Sequence, residues 1–471
     1  MTKSFRQKYI GDRAFYRMVI AIAIPLVIQQ GITSFVTLLD NLMVGALGEE
    51  PLSGVSIVNQ LVNVYNLTIF GGLSGASIFG AQFFGVGDWK GMRDTFRFRM
   101  LFSVLVTALA IGVFLTFGEP LCLLFLENEN NTAEAIQATL GYAMDYLHVA
   151  VWGLIPFLFS QVYVNLLRET GETVHPMIAS VIAILTNLVL NYMLIYGKCG
   201  FPEMGVAGAA LATVIARVLE AVYVVVYTHI QHAKFPYIEK AYRSLKIPAD
   251  LCRRIIITGT PLMFNELLWS LGMTVISGNY ACRGLDVVAA TNIATTAWNL
   301  FSIIMMAMGS VVAIMVGQQL GAGNIEGAKD VDNKLIFVTE VVHVAIGILL
   351  ILTAHLVPML YEVSENTRDM AAMMLRIQGV VLPVHSYVHV AYFTIRSGGK
   401  TVITFLFDCF YTWCVPVLVS YIVCRLTTLP ILACYAIVQA MDLVKMSIAI
   451  PMLRSGFWAK NVIGETKESQ K

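Results

Sequence analysis

Charge is what this sequence has least of. Only 13% of its 471 residues are Asp, Glu, Lys or Arg, while 57% are hydrophobic. Proteins that face water keep roughly a quarter of their residues charged, so a water-facing surface is excluded for most of the chain. Neither sign dominates: the net charge of +1 lacks the basic excess that nucleic-acid binding requires. Paired cysteines are missing as well. Eight cysteines occur without a C-x-x-C, and most, such as Cys122, Cys409, Cys414 and Cys434, sit inside apolar runs as buried, inert thiols; only Cys199 and Cys282 fall near outer loops. No H-E-x-x-H, no Ser-His-Asp arrangement and no aspartate-rich diphosphate site is present, so an enzyme reading has no chemistry to rest on.

What the chain does have is long apolar segments. About twelve are long enough to cross a hydrocarbon core of ~30 Å, at about 14–46, 52–82, 95–117, 136–164, 174–196, 205–229, 253–281, 287–319, 333–361, 371–395, 401–425 and 431–454. The fold class expected is therefore an all-α polytopic membrane protein. The first segment is too long for a secretory signal and lacks its small-residue cleavage site, so it is read as a retained helix.

Basic residues set the orientation. With the N-terminus inside, about two dozen Lys and Arg fall on the cytoplasmic side, among them Lys90, Arg93, Arg97, Arg99 and the run from Lys234 to Arg254. Lys198, Arg283, Arg368, Arg376 and Arg425 fall outside. Both termini are expected in the cytoplasm, in a cell (plasma or inner) membrane. The connection at about 230–252, with Pro236 and Pro248, reads as a linker between an N-terminal lobe (1–232) and a C-terminal lobe (253–471) of six helices each.

The two lobes are internal repeats. GAQFFGVGDWKGMRD (80–94) matches GQQLGAGNIEGAKD (317–330) at an offset of 236, pairing Gln82 with Gln318, Gly85 with Gly321 and Gly87 with Gly323. The same offset pairs Pro25 with Pro261 and Gly48 with Gly284. Further on the offset becomes 228, pairing Arg168 with Arg396, Gly171 with Gly399 and Arg217 with Lys445. Six spans per half make these parallel repeats about an axis along the membrane normal, a plan typical of alternating-access transporters. The Gly-rich turns lack the G-x-x-x-x-G-K-[ST] spacing and read as tight helix connections, not phosphate sites.

Ionisable groups at membrane depth are expensive and are the functional candidates. Counting ~1.5 Å per residue, Asp40 lies ~35 Å above Arg17, near the outer end of the first helix, and Asn187 and Asn191 are i,i+4 neighbours at ~20–27 Å on the fifth. Together they are expected to hold a cation or a proton in the N-terminal half. In the C-terminal half Glu266 (~18 Å), His385 (~16 Å), Asp408 (~12 Å) and His389 (~10 Å) form a second set. Arg217 with Glu220, and Asp442 with Lys445, are spaced as i,i+3 ion pairs. Gln29, Gln30, Tyr65, Trp269 and His389 are the candidates for lining a substrate cavity.

The run IPLVIQQGITSFVTLLDNLMVGALG (24–48), the turn at 80–94, NLVLNYMLIYG (187–197), GVAGAALATVIAR (205–217) and GQQLGAGN in the second half together resemble a multidrug and toxic compound extrusion (MATE) transporter. That resemblance implies the fold of that family and an antiporter that exports organic, often cationic, compounds against entering Na+ or H+. The family's first-helix aspartate matches Asp40 and its fifth-helix polar pair matches Asn187 and Asn191; asparagine at the second position leans to the NorM-like rather than the DinF-like branch. Glu266 stands about one turn lower than the seventh-helix glutamate of many members. His385 occupies the place of a tenth-helix aspartate, so Asp408 is the candidate substitute. Expected partners are a small organic solute and membrane lipid, with no nucleic acid, no enzyme activity and no cofactor beyond the coupling ion (Na+, at Asp40, Asn187 and Asn191, or H+). The expected state is a monomer. A lipid-linked oligosaccharide flippase of related fold is the alternative, and it asks for a strongly basic cavity. Because the repeat partner of Asp40 is Ile276 and that of Glu266 is Gln30, the ion chemistry is expected to be unequal between the lobes.

Overall fold

The computed structural model of the protein describes residues 5–126, 133–361 and 363–464. Among these residues the structure is helical, with twelve long segments: α1 Arg13–Gly45, α2 Glu49–Val86, α3 Trp89–Leu126, α4 Ala133–Glu169, α5 Val174–Ile195 and α6 Gly205–Ile230. The second half has α7 Ala249–Ala281, α8 in two parts (Leu285–Phe301 and Ile303–Gly321), α9 Ile325–Thr353, α10 Glu365–Ser397, α11 Thr401–Leu426 and α12 Ile431–Ser455. Their outer faces carry leucines such as Leu105, Leu109, Leu124 and Leu352, each about 70% exposed. That is the pattern for helices whose solvent is lipid.

All but α7 and α10 carry a stretch apolar enough to cross a membrane by composition alone, α8 through its second part. The two exceptions have a reason in their sequences. Asn265 and Glu266 on α7, and Gln378, His385, Ser386, His389 and Arg396 on α10, dilute the apolar run with groups that turn inward.

The repeat read from the sequence is also a repeat of backbone conformation. Gly48 and Gly284 have φ of 128° and 125°, Gly87 and Gly323 have 72° and 76°, and Gly171 and Gly399 have 81° and 73°. Only glycine takes these values without strain, so the matched glycines mark matched turns.

The chain forms two compact units. One comprises residues up to Val27, Ala81–Asp88 and Arg254 onward; the other comprises Ile28–Gly80 and Trp89–Arg253. Besides the boundary between Arg253 and Arg254, the division cuts through α1 after Val27 and through α2 after Gly80, which the sequence did not indicate. The first turns of α1 and the last turns of α2 pack with the C-terminal residues. Val19, Ile22 and Leu26 belong to the same buried cluster as Val311, Val312, Met315, Leu335, Ala391 and Ile395.

The end of α2 is also fastened by Gln82, which is fully buried. Its Nε2 donates to the carbonyls of Ser397 (3.1 Å) and Lys460 (3.2 Å), and its Oε1 accepts from the Val462 N–H (2.8 Å). Arg254 donates to the Val462 carbonyl, Asn461 donates to the Gly321 carbonyl at 3.2 Å, and Trp458 is buried. Residues 456–464 are thereby tied down as a strap. Gln82→Ala would orphan buried backbone groups at about 1–3 kcal/mol each. The expected result is faster tryptic cleavage after Lys460 and a lower melting temperature in detergent; unchanged cleavage would count against this role.

The stretch read as a linker is likewise not loose. Arg93 donates to the carbonyls of Tyr237 (3.2 Å) and Pro236 (3.3 Å), and Arg97 to those of Ala241 (2.9 Å) and Lys240 (3.0 Å), while Phe235, Tyr237, Ile238 and Ala241 are buried. Lys234 pairs with Glu172 at the start of this stretch. Burial opposes ionisation of Glu172, yet the Lys234 ammonium and the His175 N–H prevail and hold its carboxyl below the ordinary glutamate value.

Candidate functional site

In the N-terminal unit Asp40, Asn187 and Asn191 converge. Asn191 is buried and donates its Nδ2 to Asp40 Oδ1 at 2.7 Å. With its amide oxygen turned to Thr213 Oγ1 (3.2 Å), Asn187 donates to both Asp40 carboxylate oxygens, at 2.9 and 3.2 Å. The i,i+4 spacing on α5 aims both amides at one point of α1. The Oδ1 of Asn191 is buried beside this carboxylate with no hydrogen-bond partner. No three of His, Cys, Asp and Glu converge to hold a metal among the described residues. What is present is one carboxylate with amide and hydroxyl oxygens, a set of hard oxygen donors.

A second network in this unit is one the sequence only half indicated. Arg217 and Glu220 form their expected pair at 2.9 Å, and Glu220 also accepts from Ser180 Oγ at 2.8 Å. Gln29 Nε2 donates to Ser180 Oγ at 2.6 Å and Gln29 Oε1 accepts from Arg168 at 2.6 Å. Gln29, expected to line a cavity, is thus a link in a half-buried polar chain. Tyr65 is a correction of the same kind: it is buried, and its hydroxyl is satisfied by Thr107 Oγ1 (2.8 Å) and the Leu154 carbonyl (3.3 Å). Gln30 is exposed.

In the C-terminal unit Glu266 and Asp408 fall in one cluster. Tyr392 donates its hydroxyl to Glu266 Oε1 at 3.1 Å; Asn265 Nδ2 donates to Asp408 Oδ2 at 2.9 Å, and Lys445 Nζ donates to Asp408 Oδ1 at 2.6 Å. Asp408 stands on a π-helical stretch, Leu406–Phe410, that advances the register of α11 and presents the carboxylate to α7 and α12. Such bulges recur at functional positions. His389 lies within electrostatic reach of Asp408, with its Nε2 buried and unpartnered. His385 is elsewhere: its Nδ1 pairs with Asp442 Oδ2, its Nε2 meets Gln439 Oε1 at 3.1 Å, and Trp298 stands edge-on to its ring at 5.1 Å. Asp442 and Lys445 therefore do not form the ion pair that their spacing predicts; each takes a partner from a neighbouring helix instead. Trp269 is exposed on α7.

Tyr392, Asn265 and Ser180 were not picked out from the sequence. Their residue types are ordinary in helices, and only the proximity of a carboxylate on another helix distinguishes them.

Twelve long helices in two repeats, ten of them with a stretch apolar enough to cross a membrane and each repeat enclosing carboxylates and amides, define a membrane transporter. The MatE family profile matches residues 25–193 and 261–422, and the chain belongs to that family. The two matches begin at Pro25 and Pro261, the pair found at the repeat offset. Among similar proteins are the probable multidrug resistance protein NorM of Thermotoga maritima, 24% identical over 94% of this chain and 93% of its own length, and the probable multidrug resistance protein YoeA of Bacillus subtilis, 23% identical over 87% of each. A solved multidrug resistance MATE family transporter of the MOP superfamily, in an outward-facing conformation, superposes with a TM-score of 0.82 at 21% identity, covering 97% of this chain and 98% of that one.

Proposed function

We propose that this protein is a secondary antiporter of the cell membrane that exports organic, often cationic, drugs or metabolites in exchange for Na+ or H+. The observation that carries this reading is the Asp40 site, where a carboxylate meets two buried asparagines and one amide oxygen is left unpartnered. A buried oxygen without a partner costs about 1–3 kcal/mol, which a bound cation relieves. The multidrug resistance names of the NorM and YoeA relatives support an organic substrate. Basic residues gathered in the loops on one side support cytoplasmic termini. A flippase for a diphosphate-linked lipid is disfavoured because Arg217 and Lys445 are each held by a carboxylate and are not free to bind one.

The test is export of ethidium from proteoliposomes under separately imposed Na+ and proton gradients. One gradient is expected to drive export and the other not. Equal export with neither gradient imposed would overturn the proposal.

A further inference from the structure

The intramembrane cations Arg217 and Lys445 correspond in the repeat, and so do the groups around them. At the offset of 236 Gln29 meets Asn265, and at 228 Ser180 meets Asp408. In the N-terminal unit the contacts run Gln29 to Ser180 (2.6 Å), Ser180 to Glu220 (2.8 Å) and Glu220 to Arg217 (2.9 Å). In the C-terminal unit they run Asn265 to Asp408 (2.9 Å) and Asp408 to Lys445 (2.6 Å). Both read as an amide on the first helix of the repeat, an oxygen on the fifth and a cation on the sixth. Only the carboxylate has moved, from α6 in one half to α11 in the other. This part of the polar chemistry, unmatched position by position, is therefore matched as a three-helix arrangement, whereas Asp40, Asn187 and Asn191 face Ile276, Val415 and Val419 in the repeat.

Each cation pairs with one carboxylate and has a second in its neighbourhood without contacting it. Arg217 acts electrostatically on Asp40 as well as Glu220, with Tyr146 and the Phe157 ring (5.2 Å) of α4 facing it. Lys445 acts on Asp442 as well as Asp408, with Phe407 and Tyr411 of α11 (5.1 and 5.6 Å) and His389 of α10 around it. Glu266, Tyr392, Arg396 and Cys409 are also near Asp408, and Arg168 is near Glu220 in the N-terminal unit.

We infer that Arg217 and Lys445 are tethered counter-cations: each occupies one carboxylate of its own unit, Glu220 or Asp408, when no external cation is bound, and the coupling cation loads by displacing it. This rests on the ion-coupled reading above and names the residues that set how tightly the ion is held. A carboxylate buried without a counter-charge would hold its ion too firmly to release it. A covalently attached competitor lowers the affinity to a range where the ion both enters and leaves, as conduction requires.

The test is the cation concentration giving half-maximal ethidium export in proteoliposomes, measured for wild type, R217M, K445M, K445R and the double variant D408N/K445M. Removing an opposite charge at hydrogen-bond distance shifts proton affinity by about one to three pH units, and metal-cation affinity in the same sense. R217M and K445M are therefore expected to reach half-maximal rate at a cation concentration about tenfold lower or more, K445R to stay at the wild-type value, and the double variant to lose the K445M shift. Unchanged midpoints in R217M and K445M, with wild type gradient-driven, overturn the inference alone. A wild type that neither gradient drives overturns the antiport reading itself. Arg217 has a side chain 40% exposed, so R217M decides the matter even if K445M does not reach the membrane.

Discussion

Asp40→Asn is expected to abolish gradient-driven export while leaving membrane insertion and yield unchanged. The substitution keeps the shape of the side chain. The Asn191 and Asn187 amides that now donate to Asp40 at 2.7 and 2.9 Å retain a carbonyl oxygen to donate to. What disappears is the negative charge, and with it the electrostatic term that holds a cation; a neutral side chain is also cheaper to bury in the bilayer. Export under the driving gradient should fall at least tenfold, while thermal stability in detergent stays within the ordinary range for an exposed substitution. Glu266→Gln provides the contrast in the C-terminal unit, where Tyr392 continues to donate to the amide oxygen. Normal ethidium efflux in both variants would remove the carboxylates from the mechanism.

Gly85→Ala and Gly321→Ala are expected to destabilise the protein strongly, and for reciprocal reasons. A Cβ on Gly85 would run into the backbone carbonyl of Gln318, and a Cβ on Gly321 into that of Gln82. These four residues are two repeat-related pairs, so the ends of α2 and α8 cross at a point where each glycine faces the other repeat's glutamine backbone. Flexible side chains can turn away from a new methyl group; a helix backbone cannot. Overpacking of this kind costs about 1–3 kcal/mol or more. Both variants should show a lowered melting temperature in detergent and reduced yield. Gly112→Ala is the control, since nothing lies within 4 Å of its Cβ position, and it should be neutral. A wild-type melting temperature for Gly321→Ala would show that the crossing is not as close as described.

Much of the site was legible because two kinds of information are local. Helical spacing on α5 put Asn187 and Asn191 on one face, and hydropathy left Asp40 as a costly charge in the first span, so their meeting needed only that α1 and α5 be neighbours. The pair Asp442 and Lys445 shows where the same reasoning stops. Spacing on one helix says which groups are adjacent along it, but the shorter reach to Asp408 on α11 and His385 on α10 decided the partners. Asp408 was named as a candidate from its depth, but its pairing with Asn265 and Lys445 was not, because the π-helical stretch on which it stands leaves no mark on hydrophobic periodicity. Tyr65 failed as a cavity residue for a related reason: an aromatic with a hydroxyl is equally at home at a wall or in a core, and Thr107 happened to lie in reach.

The sequence by itself determined that the chain is apolar and helical enough to cross a membrane several times, and that it is built of two repeats. Burying an apolar segment in lipid is a property of that segment, and a repeat is a property of order along the chain. Only the tertiary structure decided that the ends of α1 and α2 pack with the C-terminal residues, that the strap after α12 is tied to Gln82, and that each half holds the same amide, oxygen and cation arrangement with its carboxylate on a different helix. Those outcomes depend on which helices lie side by side, and side-by-side contact between distant segments is set by packing and hydrogen bonding across helices. The two repeats share one amide, oxygen and cation arrangement once folded, while the Asp40 site of the first has no counterpart in the second, where Ile276, Val415 and Val419 stand at the matching positions.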